Sequence, residues 1–313
     1  MNSVEWSRAD MTSYSKTAAK RSGDSPLIAR GLLWPSIIFL ALITQIPFLV
    51  TIYLSLHNWN LMRPDMGITF SGISNFVDIV KRPEFWEVLK NTFLFTVFCL
   101  GMCLVSGMAL ALLLNRDFLG KGIIRTMFVS PFFIMPAVSG IVWKTVLLNP
   151  NFGFMAYLSS KLGVSPTDWL GQWPLTTIVF VVAWEWIPFF MLVLLAGLQS
   201  VSPDLMEASL LDGATKMQQF FHVTIPHLLR YIEVALLLGL IFIMQTFGEI
   251  YVTTSGGPGY ASTNLSFYLY RLGFQGWDVG GASAVGVIMV VLTTIFMTIL
   301  FKFMRRTFGG GLS

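Results

Sequence analysis

Charge is scarce in this chain: Asp, Glu, Lys and Arg make up 12% of its 313 residues. A soluble domain carries about twice that share, because its surface must be dressed for water. Most of this chain therefore faces something other than water. Cysteine is nearly absent too. Cys99 and Cys103 are the two, four apart in an apolar run, which leaves no disulfide framework. On a helix they share a face, but two thiols without a nearby His make a poor zinc site and read as packing. The strict apolar–polar alternation of a transmembrane β-strand is also missing. No G-x-x-x-x-G-K-[ST] stretch occurs, and Gly120-Lys121-Gly122 lacks the spacing that cradles phosphate. ATP hydrolysis by that route is excluded.

Hydrophobicity is what remains: 55% of residues are apolar and the mean hydropathy is +0.70. Apolar runs occupy Leu32–Leu56, Asn91–Leu114, Ile124–Leu148, Pro174–Leu198, Tyr231–Thr254 and Gly281–Lys302. At about 22 to 25 residues each they make roughly 33–37 Å of helix, enough to cross a bilayer core with some tilt. The fold class expected is an all-α integral membrane protein with six transmembrane helices. The first run is too long for a signal-peptide core and no small-residue cleavage site follows it, so it reads as a retained helix. Residues 1–30 are polar and read as a cytoplasmic tail, 31–305 as the membrane domain, and 306–313 as a second cytoplasmic tail.

The formal charge of +4 does not point to nucleic acid, because the basic residues flank the spans rather than forming one patch. With the N-terminus inside, the inner segments hold Arg8, Lys16, Lys20, Arg21, Arg116, Lys121, Arg230, Arg305 and Arg306, among others. They outnumber the outer Lys and Arg roughly two to one, which places both termini in the cytoplasm. Pro47, Pro131, Pro136, Pro188 and Gly248 interrupt the spans. Breaks of that kind are tolerated at membrane depth where they are buried in protein or line a cavity.

The segment 199–230, between the fourth and fifth spans, is long but not of low complexity. Ser202 can cap a helix that starts at Pro203 and Asp204, with Gly213 able to end it in a left-handed conformation. Thr215-Lys216-Met217-Gln218 fits a capping box for a second short helix. Met217, Phe220 and Phe221 then share an apolar face, and Pro226 is expected to close the unit. Two short helices at the inner membrane surface, hinged at glycine, are the expectation.

The residues of this segment resemble the "EAA" loop of ABC importer permeases, E-A-A, three residues, G, nine residues, I-x-L-P. Here Glu207, Ala208 and Ser209 lead after three residues to Gly213, and nine residues later to Val223, Thr224, Ile225 and Pro226. Gly72-Ile73-Ser74-Asn75-Phe76, Phe85-Trp86, Asn91-Thr92 and Thr254-Ser255-Gly256-Gly257-Pro258 with Tyr268, Tyr270 and Phe274 downstream resemble the carbohydrate (maltose-type) branch. The resemblance covers nearly all of 30–305. It implies a MetI-like permease fold in the bacterial inner membrane, paired with a second permease subunit, two ATPase subunits and a periplasmic solute-binding protein. ATP and Mg would bind on the ATPase subunits, with no cofactor in this chain. Glu207, Ala208, Gly213, Phe220, Phe221 and Pro226 would form the coupling helix that docks on the ATPase.

Polar groups at membrane depth are few and costly. Gln245 and Glu249 are four apart on one helical face, and Glu185 lies between Trp184 and Trp186. They are the candidate substrate pathway: amide and carboxylate for sugar hydroxyls, Trp for the ring's C–H face. Consecutive residues on a helix diverge by about 100°, so these three cannot all face one cavity. Interhelical hydrogen bonding is the plainer role. No cation is expected near mid-membrane, Lys144 being read as snorkelling outward. An uncharged sugar or polyol is therefore the expected substrate. The competing reading is a proton-coupled secondary transporter with Glu185 and Glu249 as its relay.

Overall fold

A computed structural model describes residues 26–308. The expected tail over 1–30 lies outside the described residues up to position 25, as do 309–313 at the other end. Helix α1, Pro26–Ser55, makes up most of a separate N-terminal unit and carries Pro35 and Pro47 inside it. Thr51 Oγ1 donates to the Pro47 carbonyl, the usual i−4 back-bond of a helical Thr, which satisfies the hydroxyl locally.

The second unit runs from Leu54. Strands β1, His57–Asn58, and β2, Thr69–Phe70, form a small antiparallel hairpin. Helices follow as α2 Ser74–Lys81, α3 Pro83–Leu114, α4 Lys121–Val129, α5 Pro136–Ile141, α6 Phe154–Lys161, α7 Trp169–Gln172 and α8 Pro174–Gln199. After them come α9 Pro203–Leu211, α10 Lys216–Gln219, α11 Ile225–Met244, α12 Gly248–Thr253, α13 Leu265–Tyr270 and α14 Val279–Phe308. Among the described residues, five helical stretches are long and apolar enough to cross a membrane, and a bent pair brings the number to six when it is counted as one span.

Three of the expected spans differ from straight helices with the expected limits. The second starts at Pro83 rather than Asn91, so its first two turns stand outside the apolar run. The third is not one helix. Lys121–Phe133 and Pro136–Leu147 meet at 95°, because Pro136 cannot donate an amide and pushes Met135 into an extended conformation. The fifth begins at Ile225, breaks after Met244 and resumes at Gly248.

The core of this unit is built on Phe190 of α8, which is fully buried. A Cβ on Gly107 of α3 would come within 2.7 Å of Phe190 Cβ and 3.0 Å of the Met191 amide, and one on Gly239 of α11 within 2.7 Å of the Phe190 ring. In lipid, apolar side chains gain little by meeting one another, so close backbone approach at small residues is what holds helices together. Two glycines thus seat one phenylalanine between three spans. Cys99 and Cys103, buried in the same cluster, pack as expected.

A clasp that sequence patterning did not announce joins the 57–82 segment to the start of α14. Val279 and Gly280 amides donate to the Trp59 carbonyl, and Leu61 to that of Trp277. Asp278 accepts from the Gly281 amide and faces Arg82 at 3.9 Å. Asn75, one of the resemblance residues, donates to the carbonyls of Ser55 and His57.

Overpacking at the α3–α8 seam should be costly. Gly107→Val is expected to destabilise the protein by about 1–3 kcal/mol, read as an earlier thermal transition in detergent. Gly101→Val on the same helix, where an added Cβ meets nothing within 4 Å, should unfold like the wild type. Equal midpoints for the two variants would discard the seam.

Candidate functional site

The segment after α8 folds locally as its sequence directs. Pro203 opens α9, and Gly213, at φ +79°, ends it. The Ala214 amide bonds the Ser209 carbonyl and the Gly213 amide that of Leu210, a paired C-terminal cap that needs the left-handed residue. Ser202 stands at the N-cap without a side-chain bond, so that expected cap is made by backbone conformation alone. Thr215 and Gln218 form the full capping box of α10. Ser209, the departure from the second Ala of the family pattern, has its own role. Its hydroxyl donates to the Met206 carbonyl and accepts from Gln219 Nε2 at 3.0 Å, tying α9 to α10 across the glycine turn.

Pro226 does not close the unit. The chain passes from α10 through a π-helical turn, Phe220–Thr224, straight into α11, with Pro226 in that helix's first turn where no intrahelical amide is required. The second short helix is therefore the foot of the fifth span. Two of its apolar side chains are left open: Met217 is 67% and Phe221 56% exposed. Phe220 meets Phe221 edge to face with centroids 5.1 Å apart. The foot is pinned to α8, since Ser200 Oγ lies 2.9 Å from both His227 Nε2 and Tyr231 OH.

At membrane depth, the second halves of the two broken spans lie side by side. A Cβ on Gly140 of α5 would touch Val252 of α12 at 3.3 Å, and one on Gly248 would touch Pro136 at 3.2 Å. Lys144 is exposed, and its Nζ donates to the Val252 carbonyl at 3.0 Å. Glu185 and Glu249, far apart in sequence, come together here and are 5% and 4% exposed. The Glu185 side chain adjoins the Ser139 hydroxyl and the Glu249 carboxyl. Ser139 Oγ, Trp143 Nε1 and Glu185 Oε1 are buried and make no hydrogen bond to another described protein group. Ser139 and Trp143 were not singled out from sequence. Their signal is the four-residue spacing on one helical face, which says little until the fold brings Ser139 to Glu185 and Trp143 to Trp184.

The Trp residues divide as their spacing requires. Trp184 meets Trp143 edge to face at 5.7 Å. Trp186 belongs to a different cluster, stacked on Phe242 at 5.3 Å and meeting Phe132 at 5.6 Å. Gln245 is exposed at the break in the fifth span. Breaking a helix frees carbonyls, and these have partners. Asn264 Nδ2 donates to the Thr246 carbonyl at 2.7 Å while its Oδ1 caps α13 through the Phe267 amide. Asn91 and Thr92 of α3 hold the same loop through the Tyr260 carbonyl and the Leu265 amide. Ser-Thr-Asn before an apolar run was a legible cap, but its second partner was not.

Residues 104–309 match the family model described as binding-protein-dependent transport system inner membrane component. A probable ABC transporter permease protein of Sinorhizobium fredii is 36% identical over 82% of this chain and 83% of its own. The trehalose/maltose transport system permease protein MalF of Thermococcus litoralis is 34% identical over 82% of this chain and 86% of its own. Among solved structures, a bacterial ABC transporter involved in the import of the acidic polysaccharide alginate aligns at TM-score 0.75 and 24% identity. That alignment covers 92% of this chain and 99% of the other.

The doubly used Asn264 should be sensitive to change. Asn264→Ala strips both the α13 cap and the donor to Thr246, an expected loss of about 1–3 kcal/mol. It should appear as faster hydrogen exchange at the amides of 248–250 and 265–267. Unaltered exchange there would show that the loop does not brace the break.

Proposed function

This chain belongs to the binding-protein-dependent transport system inner membrane components, and from that premise we infer that it is the sugar- or polyol-conducting permease subunit of an ABC importer. Its complex would hold a second permease subunit, two ATPase subunits that bind ATP and Mg, and a solute-binding protein that delivers substrate from outside. The segment 199–224 and both termini would lie on the cytoplasmic side of the inner membrane, as the Lys/Arg bias supports.

The observation that carries this reading is continuity. From Lys216 to Met244 the backbone stays helical through the π turn, roughly 44 Å at about 1.5 Å per residue. One end presents Met217, Phe220 and Phe221 for an ATPase to cover. The other end stops at Gln245, four residues before Glu249. Closure of an ATPase pair on ATP would tilt this lever about its attachment to Gly197 of α8 and to Ser200 at that helix's C-cap. The tilt changes access at the break. Glu207, Ala208 and Gly213 shape the docking turn; Phe220 and Phe221 fill the ATPase surface; Pro226 starts the span without interrupting it. Gln245 and Glu249, with Glu185 and its Trp neighbours, would offer hydrogen bonds and ring faces to substrate.

The chemistry of the passenger follows from the side chains rather than the fold, since a solved permease of this fold serves an acidic polysaccharide. Here the deepest polar groups described are carboxyls and an amide, and Lys144 is already bonded to Val252. An anionic substrate would find no unengaged cation among these described groups, and an unpaired charge at membrane depth is costly. A neutral sugar or polyol meets hydrogen-bond partners, in keeping with the trehalose/maltose relative.

Reconstituted with its ATPase and second permease subunits, the chain should accumulate labelled sugar only with ATP and loaded binding protein. Collapsing a proton gradient should change nothing. Uptake driven by the gradient alone would reverse the assignment. Within that assay Gly213→Val, forced into a conformation costing about 1 kcal/mol or more, should abolish uptake while the chain stays inserted. Gly213→Asn, which tolerates the left-handed region, should retain it. Excess neutral sugars or polyols should compete with the label and sugar phosphates should not; the opposite order would reject a neutral passenger.

A further inference from the structure

Four aromatic rings on two facing helical segments form a ladder that none of the roles above uses. Phe247 and Tyr251 lie four apart across the start of α12, and their rings stack at 5.6 Å. Tyr270 and Phe274 lie four apart from the end of α13 into the π-helical turn Arg271–Gln275, and stack at 5.5 Å. The two pairs meet edge to face, Tyr251 on Tyr270 at 5.5 Å and Phe247 on Tyr270 at 5.2 Å. Packing of this kind fixes ring orientation. Yet the ladder is not buried: Tyr251 is 45% and Phe274 67% exposed. Its lower end is Phe247, two residues from the exposed Gln245 at the helix break.

The edges of the ladder are polar. The Tyr251 hydroxyl interacts with that of Tyr270 and is the main reason the Tyr270 phenol is held above its ordinary range; the Gln275 side chain adjoins Tyr270 as well. The surface is thus uncharged at neutral pH, flat and apolar on its ring faces, with hydroxyl and amide groups along its rim. A lipid-facing patch would gain nothing from the amides. A sugar ring has the complementary pattern, with C–H bonds on its faces and hydroxyls around its edge.

We propose that Phe274, Tyr270, Tyr251 and Phe247 form an aromatic ramp that receives the neutral sugar at the outer side and guides it, ring face to ring face, to Gln245 at the break in the fifth span. The proposal rests on the permease reading above. It commits to the passing sugar as occupant, because the ladder is continuous with the one exposed amide at the break and carries polar groups on both flanks.

The test uses the complete reconstituted transporter with saturating loaded binding protein and whichever labelled neutral mono- or disaccharide the wild type accumulates. Tyr251→Ala and Tyr270→Ala should lower the sugar accumulated per ATP hydrolysed by about fivefold to tenfold, the scale expected for truncating an aromatic anchor. The ATPase rate stimulated by binding protein should stay unchanged. Tyr270→Phe, which keeps the ring, should recover most of the coupling. If both alanine variants move sugar per ATP as the wild type does, the ramp is wrong while the permease reading stands. If instead they lose co-purification with the second permease subunit, the ladder is an interface and the ramp is wrong. A wild type that accumulates no sugar under any condition would fail the permease reading itself, and the ramp with it.

Discussion

Every structural choice in this protein answers to one constraint: hydrocarbon offers no hydrogen-bond partner to a peptide group. A helix solves this by bonding to itself, so uninterrupted helix is the default. Each interruption must find its partners elsewhere in the protein. The break after Met244 illustrates the solution. The Thr246 carbonyl is met by Asn264, whose own loop is tied to α3 by Asn91 and Thr92. A cut in one span is thus secured by a chain of bonds running through a second. The 95° turn between Phe133 and Pro136 is handled differently, by a residue that has no amide to satisfy.

The same constraint divides labour along the fifth span. Below the break, helix runs from Lys216 to Met244 with nothing to absorb displacement except one π turn. Above it, α12 packs against α5, and both belong to broken spans. Stiff backbone suits transmission, and irregular backbone suits contact with a polar passenger, because only irregular backbone exposes groups that can be shared. The pinning of Ser200 to His227 and Tyr231 gives the stiff part a fixed neighbour near its foot, as the proposed lever requires.

Local features were legible and distant pairings were not. Gly213 and the Thr215–Gln218 box could be read because a left-handed turn and a helix cap are each decided by three or four consecutive residues. Pro226 misled because proline both ends helices and starts them, and only the preceding π turn shows which applies here. Gly248 and Pro136 marked the two breaks to within a few residues, but the direction of each bend depends on what it packs against. The meeting of Glu185 with Glu249 and Ser139 joins three separate spans, and no periodicity within one span encodes it. The clasp of Asp278 on the 57–82 segment went unread for the same reason.

Burial of Glu185 and Glu249 beside unspent donors bears on how a site of this kind works. Fully bonded, such a cluster would be a structural knot, costly to open and indifferent to a guest. Ser139 Oγ, Trp143 Nε1 and Glu185 Oε1 make no hydrogen bond to another described protein group, and a buried polar group with no partner of any kind costs about 1–3 kcal/mol. A hydroxylated guest can relieve that cost and an apolar one cannot. In the proposed pathway, selectivity for a polar passenger would then come from the hydrogen bonds that the passenger completes. The bond that braces the neighbouring break has a net worth of only about 1 kcal/mol, small enough to be remade by the lever motion proposed above.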